Sequence, residues 1–142
     1  MATMKQLLDA KGHEILSVRP EDSVFDAIKL MAERNVGSLL VMENNALVGI
    51  MSERDYARSV ILKGRSSANT KVKDIMSSRV ICVAPEQTVE EAMALMTDKR
   101  VRHLPVLIED EVVGVISIGD LVKNIIDGQQ FIIDQLERYI SG

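Results

Sequence analysis

The sequence predicts an α/β (α+β) fold built from two copies of one β-α-β-β-α unit. Three observations predict it. Pro20-Glu21-Asp22-Ser23-Val24 returns as Pro85-Glu86-Gln87-Thr88-Val89. Gly49-Ile50-Met51-Ser52-Glu53-Arg54-Asp55 returns as Gly114-Val115-Ile116-Ser117-Ile118-Gly119-Asp120, at the same offset of 65 residues. Between these marks, helix-like and strand-like apolar patterns alternate at matching places in both copies. The expected organisation is repeat 1 with its lead-in over 1–66, repeat 2 with its lead-in over 67–127, and a C-terminal helix over 128–142. A unit of about 60 residues is marginal alone, so the copies are expected to bury each other's apolar faces.

The elements follow in order. Ile15-Leu16-Ser17-Val18 and Val80-Ile81-Cys82-Val83 are short apolar runs stopped by Pro20 and Pro85, and read as strands. Ser23-Val24-Phe25-Asp26 and Thr88-Val89-Glu90-Glu91 have the form of a capping box, which opens a helix. Val24, Ala27, Ile28 and Met31 then fall on one helical face, as do Val89, Ala92, Met93 and Met96. The helices are expected to end near Asn35 and Arg100. Ser38–Met42 and His103–Ile108 read as middle strands, with Pro105 at a strand start or edge. Asn44-Asn45 and Glu109-Asp110 read as turns into the return strands Leu47–Met51 and Val112–Ile116. A second helix is expected from Ser52 and from Ser117.

Polar residues 64–70 link the copies. Val72-Lys73-Asp74-Ile75-Met76 resembles Met4-Lys5-Gln6-Leu7-Leu8, so each copy has a helical lead-in. A separate tail helix is expected from Gln129 to Ile140, its apolar stripe serving core packing or a dimer contact.

Composition narrows the function. The chain has 142 residues, 46% hydrophobic and 27% charged, with aromatics at 3% and no Trp, so the core is aliphatic. A net charge of −4 argues against general nucleic-acid binding. Cys82 is the single cysteine, so no disulfide forms within the chain and a reducing compartment fits. The N-terminus lacks a signal-peptide core, and no apolar run approaches a membrane span. The expected location is cytoplasmic.

No catalytic constellation emerges. Phosphate-loop, dinucleotide and nucleophile-elbow motifs are missing, and His13, Cys82 and His103 lack metal-ligand spacing. The chain is expected not to be an enzyme, to carry no catalytic cofactor and to hold no metal. Cys82, inside an apolar run, reads as a buried, inert thiol. What recurs is Gly-apolar-apolar-Ser-x-x-Asp at a strand-to-helix junction. Ser52 with Asp55, and Ser117 with Asp120, suit a capping box. They suit equally a carboxylate accepting hydrogen bonds from a vicinal diol beside a helix start that favours anions. Gly49 and Gly114 mark close backbone approach or tight packing. Arg54 and Arg58 gather by the first pair, and Arg102 and His103 precede the middle strand of the second copy.

These residues together resemble a pair of cystathionine β-synthase (CBS) domains, a Bateman module in stand-alone form, over roughly residues 4–127. The resemblance implies two pseudo-twofold-related repeats packed sheet to sheet, with two clefts that take AMP, ADP, ATP, NAD or S-adenosylmethionine. It implies that Asp55 and Asp120, with Ser52 and Ser117, hold ribose. Arg54, Arg58, Arg102 and His103 become phosphate contacts, and Ile15, Val36, Val80 and Val101 pack the adenine. Because Ile118-Gly119 replaces Glu53-Arg54, unequal sites are expected. The implied role is a non-catalytic regulatory module, a homodimer acting on a separate protein. The alternatives are an interaction module with vestigial clefts and a weak nucleic-acid binder using residues 100–103.

Overall fold

The structure, a computed structural model, describes residues 2–141. The described elements run α1 (Met4–Lys11), β1 (Ser17–Val18), α2 (Val24–Arg34), β2 (Ser38–Glu43), β3 (Ala46–Ser52), α3 (Glu53–Tyr56), α4 (Val89–Lys99), β4 (His103–Ile108), β5 (Glu111–Ser117) and α5 (Ile118–Ser141). A π-helical stretch, Ala57–Ile61, continues α3, and a single 3-10 turn spans Val72–Asp74. The mixed α/β class and the repeated order match the sequence expectation.

Two compact units emerge. One holds Glu14–Val80 with Glu109–Val112; the other holds the segment ending at His13, Ile81–Ile108 and the segment from Val113 onward. The units therefore differ from the expected segments 1–66 and 67–127, because each lead-in packs in the core of the other repeat. In the first unit, Val72 and Ile75 join Val24, Ala27, Met31, Leu39, Val41 and Met51 in one core. In the second, Met4, Leu7 and Leu8 join Val89, Ala92, Met96, Leu104 and Ile116.

Backbone hydrogen bonds explain the exchange, and they recur with the repeat. Val89 N–H donates to the Ala2 carbonyl, and Val24 N–H to that of Thr70. Met4 N–H donates to Gln87 and Val72 N–H to Asp22; Lys5 donates to Pro85 and Lys73 to Pro20. The lead-ins correspond at an offset of 68 residues, from Met4 to Val72, and the repeats at 65. Each lead-in is thus hydrogen-bonded along the Pro-x-x-Ser/Thr-Val segment that opens the main helix, satisfying backbone groups that burial would otherwise orphan.

Local chemistry sets the element ends. Ser23 and Thr88 cap α2 and α4 by accepting from the Asp26 and Glu91 N–H groups. Both helices close on a left-handed residue, Asn35 at φ 54° and Arg100 at φ 55°. Asn44 and Asn45 both take positive φ, the twist a two-residue hairpin needs between β2 and β3. β2 pairs antiparallel with β3 and parallel with β1, and β4 pairs with β5.

Two expectations need correction. The strand expected over Val80–Val83 shrinks to one parallel bridge, Val83 to Val106. In the first repeat, Leu40 N–H donates to the Leu16 carbonyl. Its counterpart, Pro105, has no N–H, so that bond cannot form and the ladder stops. The separate helix expected from Gln129 is instead the second half of α5, which runs unbroken through Gly128. A lone glycine lowers helix stability by about 1 kcal/mol without ending the helix.

Candidate functional site

Each Ser-x-x-Asp pair sits where a return strand turns into a helix. At the end of β3, Ser52 N–H and Ser52 Oγ both donate to Asp55 Oδ2, at 2.9 and 3.0 Å, and Asp55 N–H donates back to Ser52 Oγ at 3.2 Å. At the end of β5, Ser117 N–H donates to Asp120 Oδ2 at 2.8 Å, and Asp120 N–H to Ser117 Oγ at 3.2 Å. The first N–H of each helix is also taken: Glu53 donates to the Gly37 carbonyl and Ile118 to that of Arg102. The capping box is therefore real in both repeats. It consumes most of the amide donors that an open helix start would offer an anion.

All four residues stay partly exposed, so each carboxylate is fixed in place but reachable. Fixing the acceptor beforehand removes side-chain entropy from any binding step.

The cations divide by repeat. Arg54 and Arg58 are exposed on the stretch that begins at Glu53, and neither joins an ion pair among the described residues. Arg102 is exposed just before β4, and His103 begins β4 half-buried. Burial chiefly, then the Lys11 ammonium, holds the His103 imidazole below the ordinary histidine value; Asp120 pulls the other way and Arg102 adds to the lowering. His103 thus lies within electrostatic reach of Lys11 and Asp120 as well as of its neighbour Arg102.

Lys11 is the residue that sequence reasoning missed. It is the last residue of α1, and its Nζ donates to Asp120 Oδ2 at 2.6 Å and to the Val115 carbonyl at 2.9 Å. Partial burial pushes the Asp120 carboxyl up, but the Lys11 and Ser117 hydrogen bonds outweigh it and leave it below the usual range. The available signal was the helical lead-in running on to Lys11 and stopping at Gly12.

The four apolar candidates fare differently. Val36 and Val101 pack at the rims of the two cores. Ile15 and Val80 are partly buried, and Val80 belongs to the unit of Glu14–Val80 and Glu109–Val112, not to the unit holding Val101 and Asp120. Cys82 is partly buried, contrary to the expected full burial, and desolvation raises its thiol pKa, which suppresses thiolate.

Gly49 and Gly114 mark close packing. A Cβ on Gly49 would lie 2.6 Å from the Met76 sulfur, and one on Gly114 would lie 2.5 Å from a Leu8 methyl. Among the described residues, no group of three or more metal-ligating side chains converges, and no helix is long and apolar enough to cross a membrane.

Comparison with known proteins agrees with the duplicated fold. The family model described as "CBS domain" matches residues 9–61 and 72–127. The CBS domain-containing protein CBSX3, mitochondrial, of Arabidopsis thaliana is 42% identical, over 99% of this chain and 72% of its own. A putative signal-transduction protein with CBS domains from Burkholderia ambifaria is 51% identical, covering 90% of this chain and 96% of its own, with a TM-score of 0.88. The CBS domain pair of protein MJ0100, solved with 5′-methylthioadenosine and S-adenosyl-L-methionine, is 20% identical over 87% of this chain and 99% of its own, at a TM-score of 0.78. At that identity it shows the shared fold.

Proposed function

Taking as premise that the chain belongs to the CBS domain family, as a tandem pair forming a regulatory module, we propose that it binds adenosine nucleotides at the Ser52–Asp55 and Ser117–Asp120 positions and transmits occupancy to a separate protein. The observation that carries this reading is the duplicated carboxylate, held by its own serine, half-exposed, and flanked by basic groups in both repeats. A ribose diol donates to such a carboxylate, and Arg54, Arg58, Arg102 and His103 suit the phosphates. Val36 and Val101, at the core rims, offer apolar surface for the base, with Ile15 and Val80 as further candidates. The ligands seen on the MJ0100 domain pair support adenosine as the common chemical element.

The module works by population shift. A ligand that favours one arrangement of the chain, or of an assembly, biases that arrangement by its differential affinity. No reaction step is needed, and no residue is assigned a catalytic role.

We further propose a homodimer joined through α5. Beyond Leu121 no described residue of α5 is buried, yet Val122, Ile126, Phe131, Ile132, Ile133, Leu136, Tyr139 and Ile140 are exposed. Ile125, Ile132 and Tyr139 recur every seven residues, as do Ile126, Ile133 and Ile140. That period suits a helix partner. A single cysteine, which forms no disulfide within the chain, fits a reducing compartment such as the cytoplasm.

The test is isothermal titration of ligand-stripped protein with AMP, ATP, NAD and S-adenosylmethionine, beside Asp55→Ala and Asp120→Ala. Saturable binding that each substitution weakens at one site supports the reading. No heat with any ligand, and an unchanged melting temperature, overturns it in favour of an interaction module.

A further inference from the structure

We propose that Lys11 makes the Ser117–Asp120 site selective for phosphorylated over unphosphorylated adenosine ligands. The inference rests on the nucleotide reading above and concerns one site of the two.

The argument starts from an asymmetry. In the first repeat the Ile50 carbonyl accepts from Ser77 N–H, because the chain after the 3-10 turn extends along β3. The counterpart carbonyl, Val115, accepts from Lys11 Nζ instead, because α1 continues as a helix to Lys11. The same ammonium then reaches Asp120 Oδ2. Among the described residues Asp55 pairs with no cation, and its carboxylate accepts from Ser52 N–H and Ser52 Oγ. Two exposed arginines flank Asp55 in sequence, whereas Gly119 stands at the place of Arg54.

The chemistry of the two sites therefore differs. Asp120 is already neutralised, with Oδ2 engaged by both Ser117 N–H and Lys11. A neutral diol donating to it gains less than it would from an uncompensated carboxylate. An ammonium has three N–H donors, and the two acceptors that Lys11 meets among the described residues leave one. The Lys11 side chain is 40% exposed and that of Asp120 25%, so the ammonium stays accessible to a ligand oxygen while paired. The Arg102 carbonyl accepts from Ile118 N–H, two residues before Asp120, so a second, exposed cation stands in the chain segment beside the site. Anionic phosphate is the ligand group that this arrangement rewards.

The test uses the full chain carrying Asp55→Ala, so that the Asp120 site alone reports. Adenosine and AMP are titrated calorimetrically into this chain, and into the same chain with Lys11→Met or Lys11→Arg. AMP is expected to bind at least about tenfold more tightly than adenosine. Lys11→Met should shrink that ratio to about threefold or less, through loss of AMP affinity, and Lys11→Arg should keep most of it. An unchanged ratio in a Lys11→Met chain with parental melting behaviour overturns the proposal and leaves nucleotide binding standing. If Lys11→Met melts early, the Lys11→Arg chain and Arg102→Gln decide: loss of the ratio in Arg102→Gln alone assigns selectivity to Arg102 and overturns the role of Lys11. Absence of heat with either ligand, in the parent as well as the Asp55→Ala chain, overturns the nucleotide reading and this inference together.

Discussion

Leu8 occupies the space that a side chain on Gly114 would need, with a methyl 2.5 Å from the position of that Cβ. The pair has a mirror in Met76 over Gly49. Leu8 and Met76 are corresponding lead-in residues, so the glycines exist to let the exchanged lead-ins close on the return strands. Gly49→Ala and Gly114→Ala should each destabilise the protein by about 1–3 kcal/mol, the range for overpacking a filled core. Gly49→Ala should cost more, because its Cβ also meets the Ser77 backbone carbonyl at 2.9 Å, which cannot rotate away. Urea denaturation at one pH, with unchanged slope, measures both. Equal stability of Gly49→Ala and the parent would refute the packing account.

Arg100 and Glu109 hold left-handed backbone, at φ 55° and 56°, where the first repeat has Asn35 and Asn44. A Cβ-bearing residue pays about 1–2 kcal/mol for that region, and asparagine less. Arg100→Asn and Glu109→Asn should therefore each stabilise by roughly 0.5–1 kcal/mol. The two lie at a helix end and at a turn, so their effects should add. The readout is the thermal midpoint, and a decrease for both would show that the Arg100 and Glu109 side chains contribute more than the strain removes.

The repeat, the helix N-caps and the helix ends near Asn35 and Arg100 were legible because each is written in a few adjacent residues; of the expected capping boxes, that of Ser23 forms in one direction, Asp26 N–H donating to Ser23 Oγ. Ser23, Thr88, Ser52 and Ser117 each cap within three positions. What escaped was non-local. The partner of each lead-in is set by hydrogen bonds across many residues, such as Val89 to Ala2, for which no local pattern exists. The ion pair of Lys11 with Asp120 depends on the same exchange. The lost strand at Ile81 was readable in principle: Pro105 removes a donor, but seeing that required knowing which strand it faces. The single helix through Gly128 escaped because glycine weakens a helix and is easily mistaken for a stop.

His103 gives the protein a pH dependence of definite sign. Its folded-state pKa lies below the ordinary value of 6.5, chiefly through burial, so the unfolded chain binds more protons between the two values. Stability should then fall as pH drops through about 6.5 and level off below the folded pKa. His103→Ser, which places the first repeat's Ser38 residue type there, should flatten the curve in that window. Guanidinium melts at pH 5 and pH 7.5 test it; an equal difference in parent and variant would assign the dependence elsewhere.

Glu21 acts in the acid range. Hydrogen bonds from Lys71 and Lys73 hold its carboxyl down to about 2, against an ordinary 4.5. Depression means that its contribution is present above the ordinary value and is lost as pH falls toward 2. The Glu21 side chain is exposed, so the effect is small and salt-sensitive. Glu21→Gln should reduce the loss of stability between pH 4.5 and pH 2 at low salt, and 1 M salt should erase the difference. Persistence of the full difference in 1 M salt would contradict an exposed ion pair as its source.

Leu136 and Ile140 bear on assembly rather than on folding. Both are exposed, at 55% and 82%, and neither belongs to a core. Replacing both with lysine therefore removes no buried contact within the chain, and the unfolding free energy of the dissociated protein should stay within about 0.5 kcal/mol of the parent. The α5 seam of a dimer would, by contrast, receive two charges on each helix, one at Ile140 of the seven-residue repeat and one a turn earlier at the exposed Leu136. Sedimentation equilibrium should give a dimer mass for the parent and a monomer mass for the double variant. A parent that sediments as a monomer would remove the α5 dimer. A double variant that stays dimeric would move the contact to another face.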